Sequence, residues 1–456
     1  MVTATRTSTV APPALTAREN LAGLRAIRRD QLGFLRRSID AHGDVFRMRL
    51  GGFPMIMVNH PDYVHHILVE NHANYDKDNF LYRAIRPVLR DSLTGIAGGS
   101  TWRTHRRIMN PAFHRTCAES FAGVMTGLAA SAITRWTAAA AASGDGVIDV
   151  SAEASSLTLR TILRTLFGVD ANADADGHRF ERAFLEVNML VGDFLRMPFP
   201  PLGWPTPKRR RLRSLVGELD AFVRTIVAAR SGGSHAADLF TVLAQTTEDG
   251  TLSAGDLAEE ILGVIIAGYE TSSHALAWVL YQLAAHPDVQ DRVHAEVDTV
   301  LDGRPPGAAD LPRLPYTRMV IDETLRLCTP AWQTMRRAIG ADTVGPYQIP
   351  AGCDIYLNLF TLHRHPALWP DPDRFDPQRF TPEAAAGRAR HVYQPFGSGP
   401  RHCIGKHFAL TELHLATAMV AQSLHLSRVP DAPATGFRPH VTLHPDGGIR
   451  LRVRAR

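Results

Sequence analysis

The chain has 456 residues, enough for one large domain or two to three ordinary ones. Its 45% apolar and 21% charged content is that of a soluble globular protein. The net charge of +5 sits in short clusters such as TWRTHRRIM and PKRRRLR, and no long basic tail points to a nucleic-acid partner.

Residues 1–20 are polar and rich in Pro, Thr and Ala, and read as a disordered leader without the apolar core of a signal peptide. Residues 21–456 are expected to form a single domain. QLGFLRRSIDAHGDVFRMRLGG predicts an amphipathic helix, a His-Gly stop and a strand, and FPMIMV completes a hairpin. PDYVHHILVEN reads as a short helix opening on proline. Residues 75–100 lack periodicity and end in glycines, so a long functional loop is expected there. From residue 102 to about residue 285 nearly everything reads as helix, with breaks near 143–146, 171–176, 198–207 and 231–234. The PKRRRLR run reads as a solvated helix start, with contact to a phosphate or membrane surface as the alternative. After about residue 340 the texture changes to short strands punctuated by Gly and Pro, and the chain is expected to close on a strand pair, HVTLHP with IRLRVR.

No window offers the roughly eighteen uninterrupted apolar residues of a membrane span. The best candidate, AGVMTGLAASAITRWTAAAAA, contains Arg135. The four cysteines, Cys117, Cys328, Cys353 and Cys403, form no CxxC pair. That argues against a disulfide framework or a structural zinc site, and for a reducing, cytoplasmic setting.

Several segments carry chemistry. SAGDLAEEILGVIIAGYETSSHALAWVLYQLAAHP predicts a helix of roughly thirty-two residues, about 48 Å long at 1.5 Å per residue. Ser253 with Asp256 resembles a capping box, and Pro287 ends the pattern. Its middle sets Gly268, Glu270, Thr271 and Ser272 among Ile and Ala. A buried acid there is costly unless partnered, which marks a functional site, whereas a Glu270 facing solvent is unremarkable; the residues alone leave both open. YTRMVIDETLRLC puts Glu323 and Arg326 on one helical face. WPDPDRFDPQRF supplies Arg379, which can reach the Glu323 carboxylate bidentately. In GSTWRTHRRIM, Trp102 and Arg106 are two donors one turn apart, suited to a carboxylate or phosphate or to a solvated face. FGSGPRHCIGKHFAL places Cys403 in a glycine-rich turn beside basic residues at a helix start. Such a thiolate is stabilised and can bind a metal or attack a substrate.

Phe396, Gly397, Gly399, Arg401, Cys403 and Gly405 fall at the spacing of the haem-binding loop of the cytochrome P-450 superfamily, which this chain resembles. Upstream, in the family's order, stand Trp-x-x-x-Arg, Ala-Gly-x-Glu-Thr, Glu-x-x-Arg and Phe-x-Pro-x-Arg-Phe. The resemblance runs from about residue 30 to the C-terminus. It implies a mainly α single-domain fold with a smaller β-rich region, holding haem b between the long helix and the cysteine loop. Cys403 would be the axial thiolate, with Gly399 and Gly405 letting the loop approach the porphyrin and Phe396 packing near the sulfur. Trp102, Arg106, Arg336 and Arg401 would bind the propionates, with Arg336 preferred to Arg337 by its place in MRRA. Glu323, Arg326 and Arg379 would be the structural triad. Glu270 and Thr271 would be the acid–alcohol pair that delivers protons during oxygen activation, with Gly268 letting oxygen or substrate come close.

The resemblance places the substrate pocket among Phe80, Leu81, Tyr82, Phe194, Met197, Ile266, Ala267, Trp332, Gln333, Thr334 and Val441. It implies electrons from NAD(P)H through a separate ferredoxin or flavodoxin and its reductase, docking near Arg103, Arg107 and Lys406. The expected reaction inserts oxygen from O2 into a hydrophobic small molecule, a bacterial secondary metabolite such as a terpenoid, polyketide or peptide, by a monomer. The alternatives are a fatty-acid hydroxylase, a peroxide-driven haem enzyme, a non-catalytic haem sensor, and a haem-free hydrolase using Cys403 as nucleophile.

Overall fold

The computed structural model describes residues 10–50, 52–169, 176–196, 204–230 and 238–456 of the chain. Its longest element is the expected helix, bounded at Ala254–Ala285. The Ser253 hydroxyl accepts the Asp256 N–H at 3.1 Å, and the Asp256 carboxylate accepts the Ser253 N–H at 2.8 Å, closing the capping box. Pro287 opens the following helix, Pro287–Leu301. Between these ends the long helix is apolar on nearly every side and buried along most of its length, as such a composition requires.

The helix joins two apolar clusters. Leu257, Ile261, Ile265 and Tyr269 pack with Leu159, Phe180 and Phe222. Leu276, Trp278, Val279 and Leu283 pack with Trp136, Val320 and Leu413. The polar run from Glu270 to His274 falls at the junction between the two. A Cβ at Gly268 would lie 2.7 Å from Cδ1 of Ile162, on the helix Val150–Leu166. This glycine therefore serves helix packing against Ile162.

A five-stranded sheet runs in the order Val45–Leu50, Phe53–Val58, Asp354–Asn358, Gln333–Ala338, Tyr75–Asp76. The first two form the expected antiparallel hairpin, with Val45 opposite Val58. Phe53–Val58 is parallel to Asp354–Asn358, which in turn is antiparallel to Gln333–Ala338. Alternation along Gln333–Ala338 sends the neighbours Arg336 and Arg337 to opposite faces.

Three expectations are corrected. The leader is paired from Val10 onward: Val10 bridges to Tyr347, Ala14 bridges to Arg47, and Leu15 is buried. Thr16 and Glu19 then form a capping box on the helix Ala17–His42. These bridges use backbone groups, which leave no trace in side-chain composition. Residues 1–9 lie outside the described residues. Within 75–100 the chain forms a helix, Phe80–Leu89, whose cap Asn79 accepts the Tyr82 N–H at 3.3 Å; Pro87 inside it disguised the period. The closing strands do not pair with each other. Leu443–Pro445 pairs with Phe437–Pro439, whereas Arg450–Ala455 lies between Val147–Asp149 and Leu424–Arg428. Among the described residues no helix is long and apolar enough to cross a membrane.

Candidate active site

The cysteine loop is a set of backbone bonds before it is a ligand. Gly397 and Gly399 both have φ near +70°, at 67° and 70°, a region open to glycine. A Cβ at Gly399 would lie 1.8 Å from the Leu68 carbonyl oxygen, so that glycine serves packing against Leu68. The Phe396 carbonyl accepts the Cys403 N–H at 2.8 Å, which aims residue 403 at the start of the helix Lys406–Ser423. Gly405 sits beside the sulfur: a Cβ there would lie 3.9 Å from Sγ.

Cys403 is the exposed cysteine of the four. The protein around its sulfur nonetheless pushes the thiol up, with the Gly405 N–H, Arg106 and Lys406 offsetting only part of this. Basic neighbours alone therefore do not ionise it, contrary to the reading of the loop as self-sufficient. A bound metal cation supplies the missing stabilisation.

The cysteine loop contributes Arg401 to a basin of buried and partly buried cations. Arg401 lies over the Trp102 ring at 4.3 Å and donates to the Ile96 and Ala97 carbonyls at 3.1 and 2.6 Å. Arg336 is buried, donating to Thr334 Oγ1 at 3.0 Å and the Met335 carbonyl at 2.8 Å. Arg337 is instead committed to Asp354 at 2.8 Å. Arg106 donates to the His402 carbonyl at 2.9 Å, which ties the Trp102 helix to the cysteine loop. The basin also holds Lys77, which the sequence analysis missed because nothing in NYDKDNF sets it apart from a surface lysine. Its ammonium lies 4.5 Å over the Tyr82 ring and is pushed down to about 8, by burial first and then by Arg336 and Arg401. Burial raises Tyr82, but Lys77 and Arg336 outweigh it and bring the phenol down to about 8. Arg401 is pushed down to about 10 by burial and Arg336. Three crowded cations of this kind call for an anion.

On the long helix, Ala267 is exposed, and Ile266, Gly268 and Thr271 around it are partly so, on a helix buried along most of its length. The Thr271 hydroxyl donates to the Ala267 carbonyl at 2.7 Å. Glu270 points elsewhere. It is buried, accepting from Asn188 Nδ2 and, at 2.9 Å, from Thr442 Oγ1, with His444 Nε2 at 3.3 Å. Burial raises its carboxyl, but His444, His274 and Thr442 together hold it below the usual range. The structure thus brings Glu270 and Thr271 together in sequence while giving their side chains different partners.

Glu323 and Arg326, on the helix Pro315–Leu327, are both fully buried. Arg326 donates to the two Glu323 oxygens at 2.7 and 2.8 Å, and Arg379 Nε lies 3.4 Å from Glu323. Of the expected pocket residues, Phe80, Leu81 and Gln333 line a small cavity with Arg196, Met335 and His440. Phe80 stacks on Phe53 at 4.3 Å and on Phe194 at 6.2 Å. Tyr82 and Thr334 face each other, with their oxygens 3.5 Å apart. Ile266 and Val441 are half-buried. Trp332 is corrected: it is fully buried and its indole N–H is taken by the His440 carbonyl at 3.1 Å, so it backs the wall without lining it. Met197 lies outside the described residues.

The cytochrome P450 family profile matches residues 12–449. The chain belongs to the cytochrome P450 family. It is 36% identical to a cyclooctat-9-en-7-ol 5-monooxygenase of Streptomyces melanosporofaciens, over 89% of this chain and 87% of that one. It is 32% identical to a pentalenene oxygenase of Streptomyces avermitilis, over 92% of each. It is 30% identical to the mouse leukotriene-B4 omega-hydroxylase 3, over 92% of this chain and 84% of that one. As a cytochrome P450 it is a haem-thiolate monooxygenase fed by redox partners.

The residues fit that cofactor: a raised thiol offers a site to iron, and the crowded cations suit two propionates. Bound through cysteine, haem iron supplies dioxygen activation, the thiolate favouring O–O cleavage. Behind the loop, Glu412 of the Lys406–Ser423 helix is buried, and burial pushes it up to about 8, with Ser272 and Thr161 offsetting only part. A carboxyl raised on folding stays protonated while the unfolded chain ionises. Its contribution is therefore present below the unfolded value and lost as pH rises through about 8. Glu412→Gln is expected to gain on the parent protein by roughly a few kcal/mol between pH 5 and pH 8. Chemical denaturation at the two pH values checks it; an unchanged difference would refute it.

Proposed function

We propose that this cytochrome P450 oxygenates an apolar polycyclic metabolite of the terpenoid class. The observation that carries this reading is the apolar surface that Phe80, Leu81, Leu195 and Met335 give to the small cavity, whose polar groups are confined to Gln31, Arg196, Gln333 and His440. Two relatives are named for oxygenating terpenoid compounds, which agrees. A fatty-acid-type substrate is the second reading, favoured by the leukotriene omega-hydroxylase relative. Titrating haem-loaded protein with terpenoid hydrocarbons and with fatty acids, and following the haem spin state, separates the two. Shift and turnover with fatty acids alone would overturn the terpenoid reading.

The protein's own groups divide the work. Trp102, Arg106, Arg336, Arg401 and Lys77 would hold the propionate side of the haem, and Cys403 would bind the iron. Thr271 Oγ1 rests on the Ala267 carbonyl and passes a proton by turning its O–H toward a water on the open face of the helix. Glu270, held ionised, would first have to take a proton from solvent before passing one on, and its side chain is bonded to Asn188 and Thr442 rather than to Thr271. Thr271→Ala is expected to keep its haem yet lower product per electron several-fold, the difference appearing as hydrogen peroxide. Comparing NAD(P)H consumed with product and peroxide formed decides this; unchanged coupling would remove Thr271 from the reaction.

Electrons arrive at the face carrying Arg103, Arg107 and Lys406, all exposed. These cations suit an acidic ferredoxin or flavodoxin, whose association weakens as salt rises.

A further inference from the structure

Glu270 belongs to a second cluster. His274 is one turn beyond it on the long helix, hence on the same face. His444, on the strand Leu443–Pro445, comes to the same point from another element. One donor atom from each of Glu270, His274 and His444 lies within 4.8 Å of the others. The two imidazoles are tilted against each other with centroids 4.3 Å apart.

The His274 ring is the anomaly. It is 92% buried, as its 8% exposure shows, and its Nδ1 has no hydrogen-bond partner among the described residues. Leaving such a group unpaired costs about 1–3 kcal/mol. Its neighbours do not relieve it. His440 reaches the cluster only by an edge contact to His444 at 5.2 Å and is itself contacted by Arg196 at 2.9 Å. Asn188 and Thr442 are both spent on the carboxylate.

We propose that Glu270, His274 and His444 form a binding site for a divalent transition-metal cation of the zinc type, separate from the haem. Two imidazoles and one carboxylate are a recurrent zinc donor set, and this mixture disfavours calcium and magnesium, which take oxygen ligands. Tetrahedral zinc with bonds of about 2.0–2.2 Å separates its ligand atoms by about 3.4 Å. His444 Nε2 and Glu270 Oε1 already lie 3.3 Å apart, close to that spacing. Asn188 and Thr442 play the outer part that orients a ligating carboxylate.

The consequence is inhibitory. A cation on Glu270 removes the ionised acid behind Thr271, so zinc slows proton delivery. That consequence rests on the proposed oxygenation, whereas the site itself does not.

The test uses haem-loaded protein stripped with a chelator, desalted and titrated with zinc by calorimetry, with metal content measured after a second desalting. One zinc per chain is expected to remain, unaffected by millimolar calcium. His274→Gln and His444→Gln are each expected to weaken binding at least tenfold while retaining the parent carbonyl spectrum. Crystals of the unsubstituted protein soaked in zinc, measured at the zinc edge, should show the anomalous peak between the three side chains. That measurement decides the matter even where a variant fails to fold. A peak elsewhere, or none, overturns the proposal, as does equal retention by the folded variants. Absence of product in the terpenoid assay run on zinc-free protein, where that protein still takes up zinc at the three side chains, would instead count against the oxygenation reading alone.

Discussion

Cys403→Ser is expected to abolish oxygenation, by at least about a hundredfold, while leaving the fold and its melting temperature essentially in place. The side chain at 403 is exposed, and what holds the loop is backbone: the Cys403 N–H on the Phe396 carbonyl and the positive φ of Gly397 and Gly399. Serine keeps all of these and changes one atom. A hydroxyl is far harder to ionise than a thiol, and surroundings that already raise the thiol would oppose an alkoxide further. The axial ligand is then weak and neutral, and the electron donation that favours O–O cleavage is lost. The ferrous carbonyl spectrum reads this directly and should leave the thiolate form. Parent-like absorption in protein shown to be intact would remove Cys403 as the ligand. It would also reopen the nucleophile alternative, for which no histidine general base had been identified from spacing.

What was legible in the sequence and what was not divide along a physical line. The long helix was legible because its information is local: an apolar stretch, a Ser253–Asp256 cap and a proline stop. Glu323 with Arg326 was legible because i and i+3 share a helical face whatever the tertiary structure. The cysteine loop was legible because its glycines are demanded by backbone geometry. Lys77 was not, since its burial depends on Tyr82, Arg336 and Arg401 arriving from other elements. Nor were the partners of Glu270, because Asn188, Thr442 and His444 come from other parts of the chain. Gly268 was legible as an odd residue in a helix, but its packing against Ile162 was not, since Ile162 comes from another helix. The terminal segment from Val10 was misread because bridging strands use backbone groups that composition does not encode.

Glu323→Ala is expected to yield chain with little bound haem and a sharply lower melting temperature, although residue 323 does not touch the haem pocket. Arg326 is fully buried, and Glu323 is its carboxylate partner, with two charge-assisted bonds of 2.7 and 2.8 Å. Removing that carboxylate strands a cation in the core, which costs roughly 3–5 kcal/mol against a typical total of 5–15. The loss propagates along named bonds. Arg326 also holds the His363 and Pro372 carbonyls at 2.8 Å, and the Asp376 N–H rests on Glu323 at 2.8 Å. His363 accepts the Gln394 N–H at 3.0 Å, and the Gln394 carbonyl accepts the Gly397 N–H at 2.9 Å, which reaches the cysteine loop. Slack at Glu323 is therefore slack at Cys403. The double variant Glu323→Leu with Arg326→Met removes both charges and should recover part of the lost stability, since the stranded cation is the main cost. Recovery stays partial because the carbonyls of His363, Pro372 and Arg374 lose their donor. Haem per chain and melting temperature across the three proteins check the argument. Full haem loading in Glu323→Ala, or no recovery in the double variant, would show that the pair does not brace the loop.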